Sequence, residues 1–295
     1  MGQGMNVSMQ DSYNLGWKLG AVISGTAHHD ILSTYNAERR PIALRLIELD
    51  KQMSEFYSQG PSGASEEYQN FRDGFSKFLS GVSVTYEPNT LVTRLAADRE
   101  PRQFGNSNGN VAPRSVDGIA KNIALGQRLP SHKVVSQCDS TVVHLANALP
   151  STGKWRILVF AGDLSSKKQR KVVHSLGETL QNLQRKYSKD GSHATSTIEV
   201  LLLNSGSRAS VEPLDLHEVY HPWDGAQGWD LWKIFSDDAA DFEPCSSAYE
   251  KFGIDKKDGC LAILRPDQHV SFVGPLDHHS PVESFFANFM ISSSQ

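Results

Sequence analysis

The chain has 295 residues, 39% apolar and 21% charged, which is enough at about 150 residues per domain for roughly two domains with cores of their own. A net charge of −4, from 29 Lys and Arg against 33 Asp and Glu, argues against nucleic-acid binding by phosphate neutralisation. Cys138, Cys245 and Cys260 are too few and too scattered for a disulfide scaffold or a four-thiolate zinc site, and no apolar run approaches the ~20 residues of a membrane span.

Taken in chain order, the opening Met1-Gly2-Gln3-Gly4-Met5-Asn6 leads straight into a helix, without the basic and apolar regions of a signal peptide. The spacing of Leu15, Leu19, Val22 and Ile23 predicts a helix over 6–24, with Asn6 as N-cap and Gly25 as stop. Tyr35, Ile42, Leu46, Leu49, Met53 and Phe56 predict a second helix, with Pro41 in its first turn or at a kink. After a loop over 59–65, Tyr68, Phe71, Phe75, Phe78 and Leu79 predict a third. Three helices without an intervening strand suggest the closing part of a domain whose sheet lies elsewhere. The stretch 84–130 is rich in Asn, Gly, Pro and Arg, and 104–110 has the least structural signal, so a linker is expected there.

Beyond it the pattern changes. Short apolar runs at 141–145, 155–160 and 198–203 predict strands, and Lys167–Tyr187 predicts an amphipathic helix. A helical turn at 249–252, a hairpin of 260–264 and 269–274 around Arg265-Pro266-Asp267-Gln268, and a helix over 282–290 complete the chain. This is the element order of a thioredoxin-like α/β layer.

Gly2 and Gly4 permit a close backbone approach, and the helix after them offers free N–H groups and a positive dipole end to a negatively charged group. An ordinary glycine-containing N-terminus is the competing reading. The other candidates carry less. His28-His29 and His278-His279 are sequence neighbours that cannot share a helix face and read as solvated surface. His217 and His221 have helical spacing, but Pro213 and Pro222 make a helix there doubtful. Asp237, Asp238 and Asp241 read as a solvated acidic face, and no metal site is expected. Arg39-Arg40 leaves two readings open: pairing with carboxylates of a domain outside this chain, or packing.

Gly2-Gln3-Gly4-Met5-Asn6, the Asp11-x-x-Asn14-Leu15-x-Trp17-Lys18-Leu19 helix and the Tyr35-x-x-Glu38-Arg39-Arg40-Pro41 start, at these spacings, resemble FAD-dependent aromatic hydroxylases of the phenol hydroxylase type. Trp155–Asp163 and Leu264-Arg265-Pro266-Asp267 resemble markers of that family's C-terminal domain. The resemblance implies an α/β chain: the helical tail of a PHBH-type FAD-binding domain (1–83), a linker (84–124), and a thioredoxin-like dimerisation domain (125–295). It implies that Gly2, Gln3, Gly4, Met5 and Asn6 touch the pyrimidine side of FAD, with NAD(P)H as co-substrate and a phenolic compound and O2 as substrates. It further implies a cytoplasmic homodimer with no nucleic-acid or membrane partner. Asp11, Asn14 and Trp17 are read as structural. No GxGxxG turn occurs, nor do the family's substrate-pocket residues, so the chain is expected to be the C-terminal part of the enzyme, with no catalytic residue of its own and no activity alone. The position of a thioredoxin-like cysteine pair reads Gly162-Asp163-Leu164-Ser165-Ser166, so thiol–disulfide chemistry is not expected. A non-catalytic association module is the alternative.

Overall fold

A computed structural model describes residues 4–58, 66–93, 115–116, 118–188, 194–239 and 247–293. Helices α1 (Gly4–Ile23), α2 (Ser33–Ser58) and α3 (Glu66–Leu79) come first. Strands β1 (Ser115–Val116), β2 (Ala120–Ala124), β3 (Lys133–Ser136), β4 (Val142–His144) and β5 (Trp155–Gly162) follow. Next are α4 (Lys167–Tyr187), β6 (Ile198–Asn204), β7 (Trp223–Asp224), β8 (Gly228–Trp229) and β9 (Ile234–Ser236). The chain closes with α5 (Ala248–Phe252), β10 (Cys260–Leu264), β11 (Val270–Gly274) and α6 (His279–Ala287).

Seven strands form one mixed sheet in the order β11-β10-β5-β6-β9-β3-β4. Strands β5, β6 and β9 are parallel, and antiparallel pairs flank them on both sides. The central strands β5 and β6 are buried along their whole length, which is why they read as near-continuous apolar runs, broken by the paired Arg156 and Glu199, rather than alternating ones. Successive residues nevertheless serve opposite faces. Leu158, Phe160, Leu201 and Leu203 join a core with Ile42, Leu49 and Met53 of α2 and Phe75 and Phe78 of α3. Ile157, Val159, Val200 and Leu202 join a second core with Leu176 and Leu180 of α4 and Phe285 and Phe286 of α6. Helix α1 takes part in both, through Val7 in the first and Trp17 in the second. The α/β class expected from the sequence is the class observed.

Several local readings change. Helix α1 begins at Gly4, so Asn6 lies inside its first turn and is not its N-cap. Gly25 adopts φ 71° and its N–H bonds the Val22 carbonyl at 3.0 Å, the left-handed stop the sequence predicts. Helix α2 continues through Pro41, beyond its first turn. The carbonyl that loses its partner belongs to Ala37, which is exposed and open to water. Within 84–124, Val84, Tyr86, Leu91, Val92, Ala120 and Ile123 are buried in the two cores. The loop at 59–65 and the 104–110 stretch lie outside the described residues.

Candidate functional site

Gly4, Met5 and Asn6 form the exposed first turn of α1. The first N–H groups of any helix lack intrahelical acceptors, and the aligned peptide dipoles add about half a positive charge there. No acidic side chain in this turn offsets that charge. A Cβ built on Gly4 would meet no atom within 4 Å, so the approach to the backbone is open. These residues suit an anionic or electron-rich edge such as that of a reduced flavin, and in this respect FAD fits. Gly2 and Gln3 lie outside the described residues.

About two to three turns further along α1, the motif residues of α1 and α2 meet the turn between β10 and β11. Glu38 lies at the centre of this network. It accepts from Asn14 Nδ2 and Lys18 Nζ at 2.8 Å each, from Asn89 Nδ2 at 3.1 Å, and from Arg265 Nη1 and Nη2 at 2.6 and 3.1 Å. The same guanidinium donates to Asp267 from Nε at 3.0 Å and from Nη2 at 2.6 Å. Asp267 also accepts from Trp17 Nε1 at 3.1 Å. The guanidinium lies 5.3 Å from the Trp17 ring and 4.9 Å from the Tyr86 ring. Beside it, Arg39 Nε donates to Asp11 at 2.5 Å and Nη1 to the Tyr86 hydroxyl at 3.2 Å.

Two cations and two carboxylates are thus removed from water together, with Lys18 and Arg265 at 0% exposure. Burial acts against each charge, and the partners decide the outcome. For Glu38, burial pushes the carboxyl up, but Arg265 and then Lys18 outweigh it and hold it below its ordinary value. Asp267 is likewise held well below its ordinary value, because Arg265 and His269 overcome its burial. In Lys18, burial wins over the attraction of Glu38, and the ammonium is brought down to about 8.

The structural reading of Asp11, Asn14 and Trp17 agrees with these contacts, and Arg39 has found its carboxylate within this chain. What sequence reasoning missed is that three separate motifs form one ionic network. The available signal was the pair Asn14 and Lys18, one turn apart on the helix face that also carries Trp17.

The remaining candidates disperse. Asp237 is buried, not solvated, and its carboxylate accepts from the N–H groups of Ala248 and Tyr249 at the start of α5. Asp238 accepts from Arg208 N at 2.8 Å, and Asp241 lies outside the described residues. His217 and His221 flank a short 3-10 turn, where His217 Nδ1 accepts from Val219 N and His221 Nε2 contacts the Leu216 carbonyl. His279 is half-buried against Thr179 at 2.9 Å, whereas His28, His29 and His278 are exposed. Cys138 is exposed, and burial pushes the Cys260 thiol up. Cys245 lies outside the described residues. Among the described residues no group of three potential ligands gathers for a metal, and no helix is long and apolar enough to cross a membrane.

Fold and site together define a mixed α/β protein whose first two helices are tied to its sheet by a buried ionic network. Within that class, the chain belongs to the phenol hydroxylase C-terminal dimerisation domain family, whose model matches residues 84–294. An FAD binding domain model matches residues 1–50. The phenol 2-monooxygenase fsqG of Aspergillus fumigatus is 33% identical, over 97% of this chain and 44% of its own length. The FAD-dependent monooxygenase terD of Aspergillus terreus is 36% identical, over 100% of this chain and 47% of its own. The chain therefore spans less than half the length of these curated relatives. Among solved structures, the flavin-dependent monooxygenase PieE in complex with FAD and substrate has a TM-score of 0.51 at 14% identity, over 97% of this chain and 44% of its own, a likeness of fold.

Proposed function

We propose that this chain forms the C-terminal part of an FAD-dependent aromatic monooxygenase that hydroxylates a phenolic compound with NAD(P)H and O2 as a cytoplasmic homodimer. On this reading residues 1–83 complete a flavin domain, 84–124 connect it while packing Val84, Leu91 and Ile123 into the cores, and 125–295 form the thioredoxin-like dimerisation unit. The observation that carries the proposal is the first turn of α1, exposed, open beside Gly4 and free of carboxylates. The family match and the relatives' names support it.

Bound there, FAD would supply the redox and oxygen-transfer chemistry. The chain's own task is placement and electrostatics. Gly2, Gln3, Gly4, Met5 and Asn6 would line the pyrimidine edge, with backbone N–H groups stabilising negative charge that develops on it. The Glu38–Arg265–Asp267 network ties α1, through Asn14, Trp17 and Lys18, to α2 and the β10–β11 turn. None of these residues is assigned a proton-transfer role.

The test separates helix stability from flavin recognition. A carboxylate in the first turn stabilises a helix by about 0.3–1 kcal/mol, yet repels an anionic flavin edge. Asn6→Asp is therefore expected to keep or raise the unfolding midpoint while weakening FAD binding, followed by quenching of flavin fluorescence. Equal affinity of the two proteins would remove α1 from the flavin site. The chain alone is expected not to couple NAD(P)H oxidation to phenol hydroxylation.

The second reading is an association module without catalysis. It is favoured by the turn after β5, where Asp163 and Ser166 cap backbone N–H groups at the place a redox cysteine pair would occupy.

A further inference from the structure

Three of the chain's five tryptophans are exposed, and they lie close together in sequence. Trp223, Trp229 and Trp232 are 58%, 43% and 57% exposed, whereas Trp17 and Trp155 are buried. Within the 84–294 segment, every exposed large apolar side chain among the described residues falls in 214–232, the fourth being Leu214. The other exposed apolar side chains, such as Met9 and Ile23 of α1 and Leu44 and Ile47 of α2, precede that segment. A concentration of this kind marks an interaction surface, and tryptophan is among the residues most enriched in interface hot spots.

The backbone under these rings is fixed in advance. Strands β7 and β8 pair as a hairpin that sets Trp223 opposite Trp229, with ring centres 5.0 Å apart in an edge contact. Asp224 Oδ1 accepts from Ala226 N at 2.8 Å and Gln227 N at 2.9 Å, and Gly228 takes the φ of 82° that closes the turn. Asp230 Oδ1 accepts from Trp232 N at 3.2 Å, which places the third ring immediately before the buried β9. The buried His221 stands against Trp229 at 5.2 Å and ties the hairpin to the body. Rings held this way lose little entropy on association.

The area and chemistry suit a second copy of the same chain. At up to ~250 Å² each and about half exposed, the paired Trp223 and Trp229 rings offer roughly 250 Å² of the ~800 Å² each partner contributes to a standard interface, and the exposed Trp232, three residues on in sequence, adds a further ring. A two-fold contact places one patch against itself, and an apolar patch is self-complementary where a charged one repels.

We infer that the Trp223–Trp232 hairpin is the surface through which two copies of this chain associate, tryptophans against tryptophans across a two-fold axis. The inference rests on the homodimer reading above and assigns it a place. Sedimentation velocity of the full chain tests both and tells them apart. The wild type is expected to sediment as a dimer. The triple variant Trp223→Ser, Trp229→Ser, Trp232→Ser is expected to be a monomer, its dissociation constant raised at least about 100-fold. Trp232→Glu alone, a change at an exposed position that the fold tolerates, is expected to do the same with unchanged circular dichroism. Leu44→Ser with Ile47→Ser, on α2, is expected to stay dimeric. A folded Trp232→Glu or triple variant that remains a dimer overturns the hairpin assignment and leaves the homodimer standing. A monomeric wild type overturns both.

Discussion

Replacing Arg265 with Met tests the central structural argument most directly. The guanidinium donates twice to Glu38 and twice to Asp267, so its removal leaves two buried carboxylates facing a single buried ammonium, Lys18. Glu38 would retain Lys18, Asn14 and Asn89, and Asp267 would retain Trp17 and His269. Breaking a buried pair from one side costs about 3–5 kcal/mol, a large fraction of the ~5–15 kcal/mol by which domains are stable. With an m-value near 3 kcal/mol/M, the urea midpoint should fall by about 1–1.7 M, read by circular dichroism and tryptophan fluorescence. Glu38→Gln added to Arg265→Met restores neutrality with Lys18 and Asp267. The double variant should therefore be more stable, by about 2 kcal/mol, than the sum of the single losses. A loss under about 1 kcal/mol for Arg265→Met, or strict additivity in the cycle, would refute the claim that this network ties the helices to the sheet.

Other outcomes follow from the same structure. The folded-state value of Lys18 lies at about 8, below its ordinary 10.5, so between those pH values the unfolded chain binds more protons and stability gains from this residue as pH rises. Relative to Lys18→Met, the wild type should gain about 3 kcal/mol between pH 8 and 10.5, and a difference independent of pH in urea melts would contradict this. At the acid end Glu38 and Asp267 are both held low, so their stabilisation is present above the ordinary carboxylate range and is lost as pH falls through their folded values. Glu38→Gln should flatten that limb of the stability profile. Gly259 adopts φ 64°, and a Cβ there would run into the Phe160 carbonyl oxygen, so Gly259→Ala should cost at least about 2 kcal/mol in a thermal or urea melt. A neutral result would show that the β5 backbone at that point can yield.

Local pattern was sufficient for much of the fold. An apolar run between Gly153 and Gly162 marked β5, a second apolar run marked β6, and a 3.6-residue period marked α4 over Lys167–Tyr187, because burial on one face or on both leaves a direct trace in residue order. Strands β2, β3 and β9 were missed, since runs of three to five residues carry too little periodicity to stand out. The tryptophan hairpin escaped notice for a related reason: its meaning lies in exposure, which composition does not report.

For the site, sequence alone determined the motif residues and the order of elements. Gly4, Met5 and Asn6 stood out through the resemblance carried by Gly2-Gln3-Gly4-Met5-Asn6 and the motifs after it, since the glycines alone left an ordinary N-terminus as the competing reading. Whether Asn14, Lys18, Glu38, Arg265 and Asp267 were surface charges or a buried network could be decided only by tertiary structure. Glu38 and Arg265 lie 227 residues apart, and a pairing across that distance appears only when the β10–β11 turn is brought against α1 and α2. Each of these charges is favourable only because its partners are present at the same place. That is a property of the folded arrangement and of no single segment.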